Sequence, residues 1–154
     1  AAVGYSSRVK ELLDQSPELL NSYSHDGFPL LSLAVHFGNT ETVELLLSRG
    51  VDVHARSRDG SLNNTAIHAT VFGGYDHLVD LLMKYGADIH SQCEGELRKG
   101  FNVLHVAAYF DKAPLVEKFL AYGADKTAKN ADGRTPYELA ESLGHAVSAE
   151  LLRI

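Results

Sequence analysis

The sequence predicts an all-α solenoid of stacked helix-turn-helix units, joined by β-hairpin-like fingers of which two are extended. Three observations lead there. A small-residue stretch ending in a turn residue recurs as LAVHFG (Gly38), ATVFGG (Gly74), AAYFD (Asp111) and LAESLG (Gly144), at spacings of 36, 37 and 33 residues. The first three copies run into a helical pattern, TETVELLL, DHLVDLLM or APLVEKFL, in which a Val is followed three and four residues later by two large apolar side chains. Residues so spaced share one helix face. Then comes a stop at Gly50, Gly86 or Gly123, where a helix C-terminus favours positive φ. A unit of two short helices cannot bury its apolar face alone, but stacked copies can.

In chain order, GYSSRVKELL (residues 4–13) aligns with GNTETVELLL. This predicts that Ala1, Ala2 and Val3 end one helix, that Gly4 marks a turn, and that the chain is excised from something longer. DQSPELLNSYSHDG is then the first finger, with Pro17 as a stop signal. Residues 1–25 are expected to form a partial repeat, 26–58, 59–95 and 96–131 full repeats, and 132–154 a capping repeat. The turn pairs Asp59-Gly60, Glu94-Gly95 and Asp132-Gly133 lie in the polar segments between them. Pro114 stands near a helix start, where its missing N–H costs little. The last helix, AVSAELLRI, is one residue out of phase, as a terminal unit can be.

These features resemble the ankyrin-repeat family over nearly the whole chain. NADGRTPYELAESLGH is similar to the family's D-G-x-T-P-L-H-x-A opening, and GADKTAKNADGRTP to its inter-repeat finger. The Thr-Pro-Leu-His element reads Pro29-Leu30-Leu31-Ser32, Thr65-Ala66-Ile67-His68, Asn102-Val103-Leu104-His105 and Thr135-Pro136-Tyr137-Glu138. The resemblance implies that His68 and His105 lock turns by hydrogen bonds. Ser32 and Glu138 imitate that only in part, so their junctions are expected to be looser. The family unit is about 33 residues. The excess here lies in RSRDGSLNNT (56–65) and SQCEGELRKGFN (91–102), two fingers on the same edge of the stack. Such insertions either line a binding surface or are surface loops whose lengthening costs little.

Composition narrows the function. With 45% hydrophobic and 22% charged residues the chain has an ordinary globular balance, and no apolar run approaches the ~18 residues of a membrane span. A net charge of −6 argues against phosphate-backbone binding. Basic Arg56, Arg58, Arg98, Lys99, Lys126 and Lys129 on the fingers are largely cancelled by acidic neighbours. The eight histidines show no HxxxH or HExxH spacing, so no metal is expected. Cys93 reads as a free surface thiol whose pKa is raised by Glu94 and Glu96; it forms no internal disulfide, which suits a reducing, cytoplasmic setting. No nucleophile elbow or phosphate loop is present, and acidic residues are dispersed, so neither an enzyme nor a cofactor is expected.

In the resembled family the two residues before the inter-helix turn, and the residue between the finger Gly and the Thr position, face the concave side. Here those places hold Phe28, His36, Phe37, Phe72, Gly73, Phe101, Tyr109, Phe110, Ser142 and Leu143. Five of the six phenylalanines fall on them, and only Phe119 lies in the packing pattern. Such an aromatic stripe suits partner binding. The competing reading is that the rings pack against the fingers, with Leu62 and Leu97 as covers. The expectation is a monomeric, non-catalytic protein-interaction module whose partner-binding residues are Phe28, His36, Phe37, Leu62, Phe72, Leu97, Arg98, Phe101, Tyr109 and Phe110. The partner is another protein, with no nucleic acid and no membrane insertion. An inhibitor or immunity-type protein, a scaffold segment, or a small-ligand module with a deep pocket under the fingers are the alternatives.

Overall fold

The computed structural model describes residues 2–154, with side chains from Ser6 onward. Helix α1 spans Ala2–Gln15 and is followed by a 3-10 turn, Pro17–Asn21. Four helix pairs then follow: α2 (Leu30–His36) with α3 (Thr40–Ser48), α4 (Ala66–Gly73) with α5 (Asp76–Lys84), α6 (Val103–Tyr109) with α7 (Ala113–Ala121), and α8 (Pro136–Ser142) with α9 (Ala146–Leu152). Helices α2, α4, α6 and α8 pack in sequence as an inner row, while α1 packs on α3, α5 on α7 and α7 on α9 in an outer row. The core lies between the rows. Val43, Leu46 and Leu47, then Leu78, Val79 and Leu82, then Leu115, Val116 and Phe119 are all buried, at the spacing that one helix face requires. Each fully buried side chain of this size contributes roughly 1.5–3 kcal/mol.

Two local expectations are corrected. Helix α1 is continuous from Ala2, so Gly4 marks no turn; Ala1 lies outside the described residues. A mid-helix Gly costs about 1 kcal/mol against Ala, which packing on α3 can offset. Among the described residues the finger after α1 begins only at Ser22. The Leu30 N–H donates to the Ser22 carbonyl, and Tyr23 bridges Pro29 in antiparallel fashion.

The turn between paired helices needs left-handed backbone, and Gly74 supplies it with φ 69°. Asp111 does the same work with φ 53°, unusual for a residue bearing a Cβ. Its carboxylate accepts the Ser148 hydroxyl at 2.9 Å, which ties that turn to α9.

The junctions between units are built from histidine, as the resemblance implies. His68 Nδ1 accepts the Thr65 N–H at 3.1 Å while Nε2 meets the Ser91 carbonyl at 2.9 Å. His105 repeats the pattern with Asn102 N–H and the Arg134 carbonyl. Glu138 reproduces the inner half, accepting the Thr135 N–H at 2.9 Å. Ser32 reproduces neither half. Its hydroxyl is buried without a hydrogen-bond partner.

The fingers are joined edge to edge. Arg58 N–H donates to the Gly27 carbonyl at 2.7 Å, Gly95 N–H to Leu62 at 3.0 Å, Leu97 N–H to Ser61 at 2.9 Å, and Ala131 N–H to Lys99 at 3.1 Å. The two long fingers thus use backbone groups to hold one another. Gly95 is where they come closest, since a Cβ there would run into the Ser61 backbone.

Candidate functional site: an aromatic stripe with a caged arginine

The C-terminal ends of α2, α4 and α6 each present rings at the residues that precede the turn. These rings meet across unit boundaries. His36 lies 5.0 Å from Phe37 and 5.3 Å from Phe72, Phe72 lies 5.0 Å from Phe110, and Phe110 lies 5.0 Å from Tyr109, all between ring centroids. The stripe therefore runs unbroken over three units, with edge and tilted contacts that aromatic quadrupoles favour.

Exposure varies along it. Phe37 is 73% exposed and Tyr109 40%, so both can be touched from solvent. Phe28, Phe72 and Phe110 are half-buried, and Phe110 also packs against the core. Phe101 departs from expectation: it is 7% exposed, its ring 5.4 Å from that of His105. The cause is the second long finger. Phe101 N–H donates to the Arg98 carbonyl and its own carbonyl accepts the Cys93 N–H, a fold-back that turns the ring inward.

Cover from the fingers divides unequally. Leu62 is half-buried and walls a cleft with Phe28, Leu33, Phe37 and Phe72, whereas Leu97 is 66% exposed. The covering role falls instead to Arg98. Its guanidinium carbon sits 4.9 Å from the Phe110 centroid, 5.1 Å from Tyr109 and 5.8 Å from Phe72. This is a cation held over three ring faces. The cleft encloses about 290 Å³, with Ser32, Asn64 and Ala69 also in its lining and Asp26 and His36 contributing to it. Asn64 was not singled out from the sequence, and Ser32 was named only at its junction, not among the partner-binding residues. The departure of Ser32 from the histidine register was the one signal that pointed there.

The remaining chemistry is structural. Cys93 is 2% exposed, not a surface thiol, and burial pushes its pKa up to about 12, against the pull of Arg98 and Arg56. Glu94 and Glu96 are not the cause. On the outer face Asp80 accepts Lys118 Nζ at 2.7 Å and the Tyr122 hydroxyl at 2.5 Å, and these bonds hold its carboxyl below the usual range. Among the described residues no group of three or more His, Cys, Asp or Glu side chains could hold a metal, and no helix is long and apolar enough to cross a membrane.

Family models for ankyrin repeats match residues 1–93 and, separately, residues 87–140. The chain belongs to the ankyrin-repeat family. As such it is a module for protein–protein interaction. Curated relatives include a transient receptor potential cation channel subfamily A member 1 homolog of Caenorhabditis elegans, 28% identical over 89% of this chain and 11% of that protein. A B-cell lymphoma 3 protein homolog of Mus musculus is 34% identical over 77% of this chain and 25% of that protein. Protein phosphatase 1 regulatory subunit 27 of Homo sapiens is 38% identical over 48% of this chain and 46% of that protein. The chain thus spans less than half the length of each of these relatives.

Proposed function

We propose that this ankyrin-repeat chain is a non-catalytic binding module that takes a protein partner on its concave aromatic stripe and the adjoining finger bases. The observation that carries the reading is the continuity of the stripe. Rings from three successive units touch at 5.0–5.3 Å, yet Phe37 and Tyr109 stay open to solvent. Rings needed only for stacking would be covered. Exposed aromatic anchors set among half-buried neighbours are the composition of an interface centre. A fixed cation among the rings adds a polar specificity element.

The non-catalytic reading is supported by the state of the reactive groups. The thiol is buried and fully protonated at neutral pH, and His68 and His105 are spent on the turns. A partner class such as an enzyme to be inhibited is compatible with the same surface.

The test is capture from a native lysate with the chain as bait, beside a variant carrying Phe37→Ala, Phe72→Ala and Tyr109→Ala. Phe110 is left intact because it also packs on the core. Circular dichroism confirms that both baits are folded. A protein held by the parent and lost by the folded variant supports the groove. Equal retention by both refutes it and moves the site to the convex face or the finger tips.

A further inference from the structure

We infer that the cleft beneath the first long finger and the Arg98 guanidinium form one bipartite site, which recognises an extended peptide carrying a large apolar side chain next to a carboxylate. This rests on the groove reading above and names the chemistry of the partner.

The apolar half comes from a departure in the repeat. In α4 and α6 the third helical residue is a fully buried histidine, bonded back to the N–H of the residue before the helix and outward to a finger carbonyl. In α2 that position is Ser32, and the preceding residue is Pro29, which has no N–H to offer. A serine is too short to reach a neighbouring finger. Ser32 is 4% exposed and lines a cleft of about 290 Å³, and its hydroxyl is buried there without a partner. Phe28, Leu33, Leu62 and Phe72 make the walls apolar. The volume suits a Leu, Met or aromatic side chain, and the orphaned hydroxyl suits a peptide N–H or C=O beside it.

The charged half shares a wall with the first. Phe72 lines the cleft and also lies beneath Arg98. Arg98 Nε is buried with no hydrogen-bond partner. Arg8, Arg49, Arg56 and Arg153 each pair with a carboxylate; among the described residues Arg98, like Arg58 and Arg134, pairs with none, and of these three only Arg98 lies over the stripe. The three rings hold the guanidinium in place, and such a fork can donate two parallel hydrogen bonds to a carboxylate. A phosphorylated segment would call for a cluster of arginines. Single-stranded nucleic acid could stack on such rings, but the net charge of −6 opposes its backbone. Asp26, at the cleft, repels a carboxylate there. The peptide's acid is therefore directed toward Arg98.

The test is selection of short linear peptides from a random displayed library against the whole chain and against Arg98→Gln. The parent is expected to enrich peptides with a large apolar residue near an Asp or Glu. Arg98→Gln is expected to keep the apolar preference and lose the acidic one. The best synthetic peptide should bind Arg98→Gln about thirtyfold more weakly, since a desolvated charge pair has lost its partner. It should bind Ser32→Ala about fivefold more weakly, with that variant's melting temperature unchanged or raised. Peptides without acidic enrichment, or with unchanged affinity for Arg98→Gln, overturn the charged anchor; if they still depend on Phe37 and Phe72, the groove reading survives. No enrichment, or peptides indifferent to Arg98, Phe37 and Phe72 alike, overturn both. Binding of labelled oligouridylate by the parent, abolished in Arg98→Gln, overturns the peptide assignment.

Discussion

His68 links the fold to pH in a way that can be measured. The imidazole is completely buried, and that burial pushes its pKa from 6.5 down to about 4, assisted by the Arg56 charge. The Ser91 carbonyl and Asp88 oppose the shift without cancelling it. Protonating Nδ1 would also break the bond it accepts from the Thr65 N–H. The folded pKa therefore lies below the unfolded one. Well above pH 6.5 neither state is protonated and the histidine adds no pH dependence. As pH falls from 6.5 to about 4 the unfolded chain takes up the proton first, so folding stability drops. A shift of this size corresponds to about 3 kcal/mol. His105 shifts in the same direction, chiefly through burial, and adds to the loss. The carboxylates of Asp80, held by Lys118 and Tyr122, and of Asp125, held by Thr127, also have lowered pKa values, so their contributions disappear at lower pH than this window. Urea unfolding followed by circular dichroism at steps from pH 7.5 to 4.5 is the assay. The parent should lose stability steadily below pH 6.5, and His68→Gln should be weaker at pH 7.5 but show a shallower slope. A flat parent profile, or an unchanged slope in His68→Gln, would refute the buried neutral histidine.

Further outcomes separate core, stripe and finger. Leu46→Ala should cost roughly 2–5 kcal/mol, because Leu46 is fully buried in the packing face of α3, whereas Phe37→Ala, at 73% exposure, should change stability by about 0.5 kcal/mol or less; a large loss from Phe37→Ala in urea titrations would return that ring to the core. Cys93 should react with an aromatic disulfide reagent at the rate of global unfolding, since a thiol with pKa about 12 holds on the order of 1 in 10⁴ or less as thiolate near neutral pH; rapid labelling of folded protein would place it at the surface after all. Gly95→Ala should lower stability by about 1–3 kcal/mol and speed amide exchange at Leu97, because the new methyl meets the Ser61 backbone and separates the fingers. An unperturbed Leu97 amide would show that the fingers are not joined there.

The helix pairs were legible in the sequence because period is a local property. A Val with large apolar side chains three and four residues on, closed by Gly50, Gly86 or Gly123, leaves one way to bury that face. Much of the stripe was legible for the same reason, since Phe37, Phe72, Tyr109 and Phe110 occupy a fixed register before each turn. What failed was whatever depended on where a long finger folds. Phe101 and Cys93 both sit in the second finger, and the bond between Cys93 N–H and the Phe101 carbonyl carries them inside together. Register places a residue at the base of a finger but does not say which way an enlarged finger closes. The same enlarged finger brings Arg98, rather than Leu97, over the rings.

Ser32 departs from the histidine register, and the bonds that hold its junction lie elsewhere. The histidine register joins each unit to the next finger, so replacing it at the first junction should have left a weak point. The junction is instead secured farther out. Arg58 N–H donates to the Gly27 carbonyl at 2.7 Å, and its guanidinium lies 3.9 Å from the Tyr23 ring centroid. Gly27 permits that approach, with φ 87° and a Cβ position only 2.9 Å from the Arg58 carbonyl. Because finger-to-finger contacts connect the units, the inner position no longer has to be a histidine. Proline can then stand before α2, and a serine in place of the imidazole leaves room for the cleft lined by Phe28, Leu62 and Phe72. The other junctions carry finger-edge bonds as well, Gly95 to Leu62 and Ala131 to Lys99, so what sets the first unit apart is the serine at the inner position, and with it the cleft that His68 and His105 leave no room for in their own units.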